Sequence, residues 1–462
     1  MHSNNNKSSL EISKADKLIF GEAPHPVKCG HDLLIGGDQV YPEINFTLPS
    51  MPVEEKNWDK VYNQYSEIIE NICQRAVALE TSGLVVEFEL LPPMTLNPEW
   101  GAEITQLLRN TLDNYHSREG LNSALRVTPV DVRNANKPPI MRKGEYWEKT
   151  LKTFELCAEA GADLLSIEST GGKEIHDEAI IEGNLAGILF SLGVLGARDM
   201  KFLWSRIVEI ADEYDIIPAG DTACGFANTA MILAEKKMIP RVLAAVDRVA
   251  SVARTLQAHV EGAVGPTKDC AYEGPYLKAM NGIPISMEGR TSACAHLSTV
   301  GNVAGACCDL WSNESVQNVR LLSANAPVVS MEQLIYDCRL YNTAIKQGEQ
   351  NKQNYKEMLI ESDIHLDPQA YILSPEIVIQ ISKELIKCKS PLEMTHKAVT
   401  ETIKAIEIAH DNQKLKLSNR EYNWLDLMKN QIVDIPEDEA QLLEKIQASP
   451  FADKFIPEEY GF

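Results

Sequence analysis

The amino-acid sequence predicts an α/β fold, a (β/α)8 TIM barrel with an extended N-terminal arm and a C-terminal helical layer. Helical and strand-like segments alternate at least four times, which predicts parallel strands joined by crossover helices. Candidate ligand side chains follow at least two different strands, as in barrel active sites. A doubly wound sheet fits the same rhythm, but no Gly-x-Gly-x-x-Gly follows the first strand-like run. We therefore favour the barrel.

The alternation begins after an N-terminal region rich in Pro, Gly and His, which we expect to form an arm packed on the body. The stretch from Glu54 to Gly83 places apolar residues at the three-to-four spacing of one helix face, and Gly83 is suited to end it. Three more helical stretches follow. A run rich in β-forming residues comes after each helix, at 84–90, 124–130, 163–167 and 215–219.

Later in the chain, 283–287 and 319–323 are expected strands, and the region after about residue 330 is predicted to be helical. Ser374 before Pro375 is an N-cap followed by proline at the first helical position. Ser390 and Glu393 have the spacing of a capping box. We predict three parts: an arm over 1–50, a barrel over 51–330 and a helical extension over 331–462.

The composition narrows the classes of function. A net charge of −22 disfavours binding to nucleic acid. No stretch approaches 18 uncharged apolar residues, so no membrane span is expected, and the polar N-terminus has no apolar signal region. The ten cysteines are scattered rather than spaced as in a small disulfide scaffold, which favours a reducing cytoplasm.

Three short segments each carry one side chain that could bind a metal: Glu168, Cys224 and Cys270. A carboxylate and two thiolates would leave the fourth position of a zinc ion open for a substrate. Sequence spacing does not join them, because the two cysteines lie 46 positions apart (270 − 224) and form no Cys-x-x-Cys pair. From the residues alone, a lone cysteine is more often a small buried apolar side chain than a metal ligand.

The chain resembles the zinc-binding subunit of methanol:corrinoid methyltransferases along almost its whole length, including 26–28 and 42–45. The segments that carry the resemblance are Ser-Ile-Glu-Ser-Thr-Gly-Gly at 166–172, Gly-Asp-Thr-Ala-Cys-Gly-Phe-Ala-Asn at 220–228 and Thr-Lys-Asp-Cys-Ala-Tyr-Glu-Gly-Pro at 267–275. The resemblance implies a TIM barrel and zinc bound by Glu168, Cys224 and Cys270, with no departure from the family at these positions.

The resemblance also implies a reaction: cleavage of the C–O bond of methanol and transfer of the methyl group to the cob(I)amide of a separate corrinoid protein. Hydroxide is a very poor leaving group, and zinc would help its departure as a Lewis acid. A carboxylate in place of a third thiolate keeps the metal harder and suits an oxygen substrate. The chain has no Asp-x-His-x-x-Gly motif, so the partner is expected to bring the corrinoid. We expect an oligomer with that protein, in cytoplasmic methanol metabolism, either methanogenesis or acetogenesis.

Carboxylates near the expected ligands are further candidates. Asp221 and Asp269 adjoin the ligand cysteines and could orient the methanol proton, accept hydrogen bonds from the ligand residues, or face solvent. Glu87 and Glu89 lie on one predicted strand, and one of them is expected to point into the barrel, where a carboxylate is costly unless it is paired.

Two other functions stay open at this stage. The chain could be a sibling corrinoid methyltransferase that takes its methyl group from a methylated thiol or a methoxy-aromatic compound, which would need a pocket of different volume. It could also be a non-catalytic docking subunit for a corrinoid protein, which would hold no stoichiometric metal.

Overall fold

The computed structural model describes residues 9–46, 51–268, 273–287, 320–321, 324–362 and 364–462. Nine strands lie in these ranges, two of them only two residues long. They are β1 Glu22–Cys29, β2 Leu33–Gly37, β3 Glu43–Phe46, β4 Leu84–Glu89, β5 Ser123–Thr128, β6 Leu164–Ile167, β7 Ile217–Asp221, β8 Arg320–Leu321 and β9 Ala324–Asn325.

The helices of the described ranges fall into two series. The first series lies between the strands: α1 Trp58–Ala78, α2 Pro92–Leu96, α3 Pro98–Glu119, α4 Glu145–Glu159, α5 Lys173–Glu182, α6 Leu185–Phe190, α7 Ala197–Tyr214, α8 Thr229–Glu235, α9 Arg241–Ala250, α10 Val252–Val260 and α11 Gly274–Asn281. The second series follows them: α12 Ala326–Lys346, α13 Glu349–Glu361, α14 Pro368–Leu373, α15 Pro375–Leu385, α16 Pro391–Asp411, α17 Asn419–Val433 and α18 Glu439–Gln447.

Strands β3 to β7 form a parallel sheet in chain order, and backbone pairing closes it into a ring. The N–H of Val264 donates to β7, Thr267 pairs in parallel with Ile285, and Met287 pairs in parallel with the residue before β3. The predicted α/β class with parallel strands and crossover helices is therefore confirmed, as is the expected strand at 283–287. The described residues supply seven parallel segments to the ring, so they do not reach the predicted eight.

The ring is buried on both faces, as parallel strands usually are. Alternate residues point outward against the helices in one apolar core, and these include Ile44, Val86, Phe88, Leu125, Val127, Leu165 and Ile167. The residues between them point inward and include fully buried charged and polar side chains: Glu43, Glu87, Arg126 and Ser166. The barrel interior therefore holds charged and polar side chains, in contrast to the apolar core between the strands and the helices.

A hairpin formed by β1 and β2 closes the amino-terminal end of the ring. Its side chains Cys29, Leu33 and Ile35 pack in one cluster with inward residues at the start of the strands, such as Val85. The range predicted as an N-terminal arm therefore contains both this hairpin and β3, a strand of the ring. We call the closed end the floor and the end at the carboxyl termini of the strands the rim.

Residues 320–321 form a strand where 319–323 was expected, but its partner is β9 in an antiparallel pair rather than the parallel ring. The predicted C-terminal helices are present. Ser374 is the N-cap of α15, and the Ser390 hydroxyl accepts from the Glu393 N–H at the start of α16. Helix α16 packs against α9, so this layer shares a core with the helices that follow β6 and β7.

None of the helices in the described ranges is both long enough and apolar enough to cross a membrane.

Candidate active site at the rim of the barrel

Two of the three predicted metal ligands lie at neighbouring positions on the rim. Glu168 directly follows β6 and pairs through its backbone with Val130. Cys224 begins a π-helical turn shortly after β7, and β6 and β7 are parallel neighbours in which Ile167 lies beside Asp221. Cys270 and Asp269 lie outside the described residues. Within the described ranges, no three His, Cys, Asp or Glu side chains cluster as a metal site.

A buried lysine contacts the Glu168 carboxylate. The Lys268 Nζ lies 3.0 Å from Glu168 Oε1 and 2.9 Å from Glu87 Oε1. The side chains of Lys268 and Glu87 are 1% and 0% exposed, whereas that of Glu168 is 27% exposed. One ammonium therefore joins a carboxylate inside the barrel to a carboxylate at its mouth.

Glu87 is a charged group held inside the ring. The Thr128 hydroxyl donates to its Oε1 at 2.6 Å, while Oε2 has no hydrogen-bond partner among the described residues. Burial by itself raises the pKa of Glu87, but the cations Lys268 and Arg126 outweigh burial and hold that pKa below its usual range. Glu87 is therefore an ionised carboxylate, and its Oε1 is bound by both Thr128 and Lys268.

We expected one of Glu87 and Glu89 to face the barrel interior, and this prediction was wrong because both do. Residues two apart on a strand share a face, so both lie on the inner face of β4. Glu89 is nearer the rim and half-buried, and it accepts a hydrogen bond from Asn45 Nδ2 at 2.9 Å. The site thus has two glutamates of β4 at successive depths.

Below Glu87, Arg126 spans the barrel. Its guanidinium pairs with Glu43 and donates to Ser166 Oγ at 2.7 Å and Ser286 Oγ at 2.9 Å. The ion pair is fully buried, and the guanidinium also donates to hydroxyls on two other segments. These additional hydrogen bonds offset part of the cost of burying the two charges. This layer is a fixed polar base under the residues of the rim.

Asp221 faces the interior and not the solvent, which excludes one of its three expected roles. Its Oδ2 accepts from the Ser169 N–H at 3.1 Å, and Arg254 Nη2 lies 3.4 Å from Oδ1. Burial raises the pKa of Asp221 to about 6, against the opposing effects of Arg254 and Ser169. The carboxyl group therefore holds the loop that follows Glu168.

Arg254, on α10, ties the loop after β6 to the loop after β7. It donates to Ser169 O at 2.8 Å and Oγ at 2.6 Å, and to Thr222 O at 3.2 Å. Its guanidinium also lies over the Phe226 ring, 4.8 Å from the centroid. Because the side chain is fully buried, it fixes the two loops relative to each other.

The Cys224 loop is held from three sides. The Thr222 hydroxyl donates to Cys224 Sγ at 3.2 Å. Glu273 Oε1 accepts from the Ala223 N–H at 2.8 Å. Lys173 Nζ donates to the carbonyl oxygen of Gly225, the residue after the cysteine, at 2.8 Å. Burial raises the pKa of Glu273, whose Oε2 has no partner among the described residues.

The described donors fit a zinc ion in kind. A carboxylate oxygen and a sulfur are both common zinc ligands. Both residues are partly accessible at one rim, and the Lys268 contact engages Oε1 of Glu168. Glu168 and Cys224 were predicted from the sequence as ligands, whereas Lys268, Arg254 and Glu273 were not predicted. The sequence did contain an indication for Lys268. A charged residue that lies between a strand and a candidate ligand is expected to pair with an opposite charge at the site.

Comparison with known proteins gives consistent matches. The family model described as "Methanol-cobalamin methyltransferase B subunit" matches residues 4–461. The methanol–corrinoid protein co-methyltransferase of Methanosarcina barkeri strain Fusaro is 36% identical over 461 residues, covering 98% of this chain and 99% of the relative. A crystal structure of the methanol:cobalamin methyltransferase complex MtaBC from Methanosarcina barkeri matches with a TM-score of 0.90 at 36% identity, covering 98% and 99% of the two chains.

Proposed function

The chain belongs to the methanol-cobalamin methyltransferase B subunit family, and from this premise we propose that it cleaves the C–O bond of methanol and methylates the cob(I)amide of a separate corrinoid protein. The observation that carries the proposal is the placement of Glu168 and Cys224 at the ends of adjacent strands, above a barrel interior of paired charges. A charged, enclosed interior suits a small polar substrate better than a broad aromatic one.

In this proposal Glu168, Cys224 and Cys270 hold one zinc ion. When bound, zinc supplies Lewis acidity toward the oxygen of the alcohol. The chain contributes the rest: Arg254 keeps the two ligand loops in register, and Lys268 holds one oxygen of Glu168. Asp221 holds the loop after Glu168, and Asp269 is a second candidate for supporting the ligands.

The proposed reaction consumes one proton. Cobalt(I) donates an electron pair to the methyl carbon and becomes cobalt(III) as the Co–C bond forms. The C–O bond breaks with its electron pair on oxygen, and the departing hydroxide takes one proton to become water. The active site must therefore let a large cofactor reach the rim while it holds methanol below.

We propose a corrinoid-binding protein as the partner, docked over the rim that carries Glu168 and Cys224. The solved relative is a methanol:cobalamin methyltransferase complex, MtaBC, which supports a partner of this kind. We further propose a cytoplasmic role in the methanol metabolism of methanogenesis or acetogenesis.

One assay separates this function from the alternatives. The protein is purified under reducing conditions, its metal content is measured by elemental analysis, and methyl transfer to the reduced corrinoid protein is followed by absorbance. Stoichiometric zinc with turnover of methanol supports the proposal. Turnover only with a methylated thiol or a methoxy-aromatic donor would indicate a sibling enzyme. Corrinoid-protein binding without zinc or turnover would indicate a docking subunit.

A further inference from the structure

The chain from Glu87 through Lys268 to Glu168 links the barrel interior to the rim. The Lys268 ammonium lies 2.9 Å from one carboxylate and 3.0 Å from the other, and its side chain is 1% exposed. Two carboxylates and one ammonium leave this trio with a net charge of −1 (−2 + 1). Burying such charges is costly unless they are paired, so the contact with Glu168 is a built feature rather than a surface ion pair.

The lysine is positioned by the barrel itself. It follows Thr267, whose N–H donates to Pro284 O at 3.0 Å and whose carbonyl accepts from the Ser286 N–H at 2.9 Å. At the other end, Thr128 fixes the Glu87 oxygen to which the ammonium binds. The strands therefore fix both the backbone next to Lys268 and the Glu87 carboxylate to which its ammonium binds. This fixes the position of the ammonium at the rim.

A carboxylate that gives one oxygen to an ammonium has one oxygen left for a metal. The ammonium also draws electron density from the carboxylate, which weakens its donation and keeps the metal a stronger Lewis acid. Without the ammonium, Glu168 would be free to bind through both oxygens and to fill the position that a catalytic zinc site keeps open for substrate.

We infer that Lys268 is a positioning residue that keeps Glu168 a one-oxygen metal ligand, with Glu87 as the anchor of its ammonium. This inference rests on the proposed function. It predicts an unusual combination: loss of Lys268 lowers turnover while metal affinity is unchanged or raised. A lysine that served only to stabilise the fold would instead lower metal affinity together with stability.

The test is Lys268→Met, with metal binding read out on the isolated chain and methyl transfer measured with the reduced corrinoid protein. Zinc affinity is measured by competition with a chromophoric chelator. Coordination is measured by the visible absorption of the cobalt(II)-substituted protein, whose intensity falls when a four-coordinate ion becomes five-coordinate. We expect zinc affinity equal to or above that of the unmodified chain, a weaker cobalt(II) band, and a kcat for methyl transfer lower by about 10–100-fold. Lys268→Arg should recover part of the cobalt(II) band.

Lys268→Met removes the ammonium that contacts the buried Glu87 and could fail to fold, so the double variant Lys268→Met, Glu87→Gln is made in parallel. It removes both buried charges, and it should show the same band loss. The matched control is Lys278→Met, another buried lysine, whose Nζ bonds the Ile19 carbonyl away from the rim. It should keep the cobalt(II) band and kcat of the unmodified chain.

The inference is overturned if the double variant loses zinc affinity, or if it keeps the cobalt(II) band and turnover of the unmodified chain. The proposed function is tested separately by that unmodified chain. If the chain holds no zinc or transfers no methyl group from methanol, the proposed function fails. If it does both and the Lys268 variants behave like it, only the inference about Lys268 fails.

Discussion

Cys224 differs from three other cysteines of the described chain in being partly exposed at the rim, on the loop that follows β7. Cys73, Cys157 and Cys29 are enclosed, and burial raises the pKa of each to about 12, so they behave as inert thiols. Cys224 is only partly buried and receives a hydroxyl donor. Cys224 is disulfide-bonded in this structure, so it must be reduced before its thiol can ionise and bind a metal, and its partial exposure at the rim lets a reductant and a metal reach it.

We predict that Cys224→Ala and Glu168→Gln each reduce methyl transfer to background. The first variant should also lose zinc, because a thiolate ligand is removed outright, whereas an amide keeps a weak oxygen donor. Zinc content and turnover are measured together. Cys388→Ala, at a partly buried free cysteine of the C-terminal layer, is the control and should keep both. Normal methyl transfer by either site variant with the metal removed would refute the proposed mechanism.

Lys278 is a buried lysine outside the candidate site, and its burial predicts how the free energy of unfolding depends on pH. Burial lowers the pKa of Lys278 to about 7, against the opposing attraction of Glu22, with Lys356 lowering it further. In the unfolded chain the amine keeps its proton up to about pH 10. Between these values the unfolded state binds more protons, so the free energy of unfolding rises with pH.

Lys278→Met removes this dependence. Relative to the unmodified chain, the variant should be most stabilised at pH 7 and below, and its advantage should shrink as the pH rises toward 10. The pKa difference sets an upper bound of about 5 kcal/mol on that change. Urea unfolding at pH 7, 8.5 and 10 measures it. A stability difference that does not vary with pH would show that Lys278 is protonated equally in both states.

At the scale of secondary-structure elements, the hairpin of β1 and β2 closes the floor by a close backbone approach. Gly30 has φ +49°, and a Cβ placed there would lie 2.2 Å from the Ser123 carbonyl oxygen. Backbone cannot move away as a flexible side chain can. The hairpin therefore seats against β5 only because this position has no side chain.

Gly30→Ala should therefore destabilise the fold more than a positive φ alone explains. Gly120→Ala is the matched control, since Gly120 has φ +71° with nothing within 4 Å of its Cβ position. We expect a loss of about 1 kcal/mol for the control, and about 1–3 kcal/mol more for Gly30→Ala because of the clash. Urea unfolding measures both. Equal losses would mean that the hairpin shifts without cost.

At the scale of the whole molecule, the two ends of the barrel are unequal. The floor is closed by the hairpin, whereas the rim carries the partly exposed Glu168 and Cys224. A large corrinoid protein can therefore approach the candidate ligands from the rim alone, within the described structure. The same asymmetry makes the rim the surface that a partner should protect.

We predict that the reduced, metal-free chain forms a complex with its corrinoid protein on gel filtration. In that complex, alkylation of Cys224 by iodoacetamide should be slowed at least about tenfold, because docking covers the rim. Cys388, partly buried on the C-terminal layer, is the internal control and should react at an unchanged rate. Mass spectrometry of peptides measures the two sites separately. No complex, or equal protection of both cysteines, would argue against docking over the rim.

Much of the fold follows from local patterns. The helix faces, the β-rich runs and the capping residues of α15 and α16 were predicted because each depends on residues a few positions apart. Strand β3 was not predicted, and it was placed in an arm, because a four-residue strand directly after Pro42 has too little pattern to stand out. The role of 283–287 was predicted, but not its pairing with the start of β3.

The sequence by itself determined the α/β class, the alternation of helices with the strands β4 to β7, and the residue types at the ends of β6 and β7. Together with a family resemblance, these named a zinc ligand set. Only the tertiary structure decided that Lys268 meets both Glu168, 100 positions earlier, and Glu87, 181 positions earlier (268 − 87). The physical reason is that pairing inside a closed barrel depends on which strands are neighbours and at what depth each side chain lies. Local periodicity carries neither.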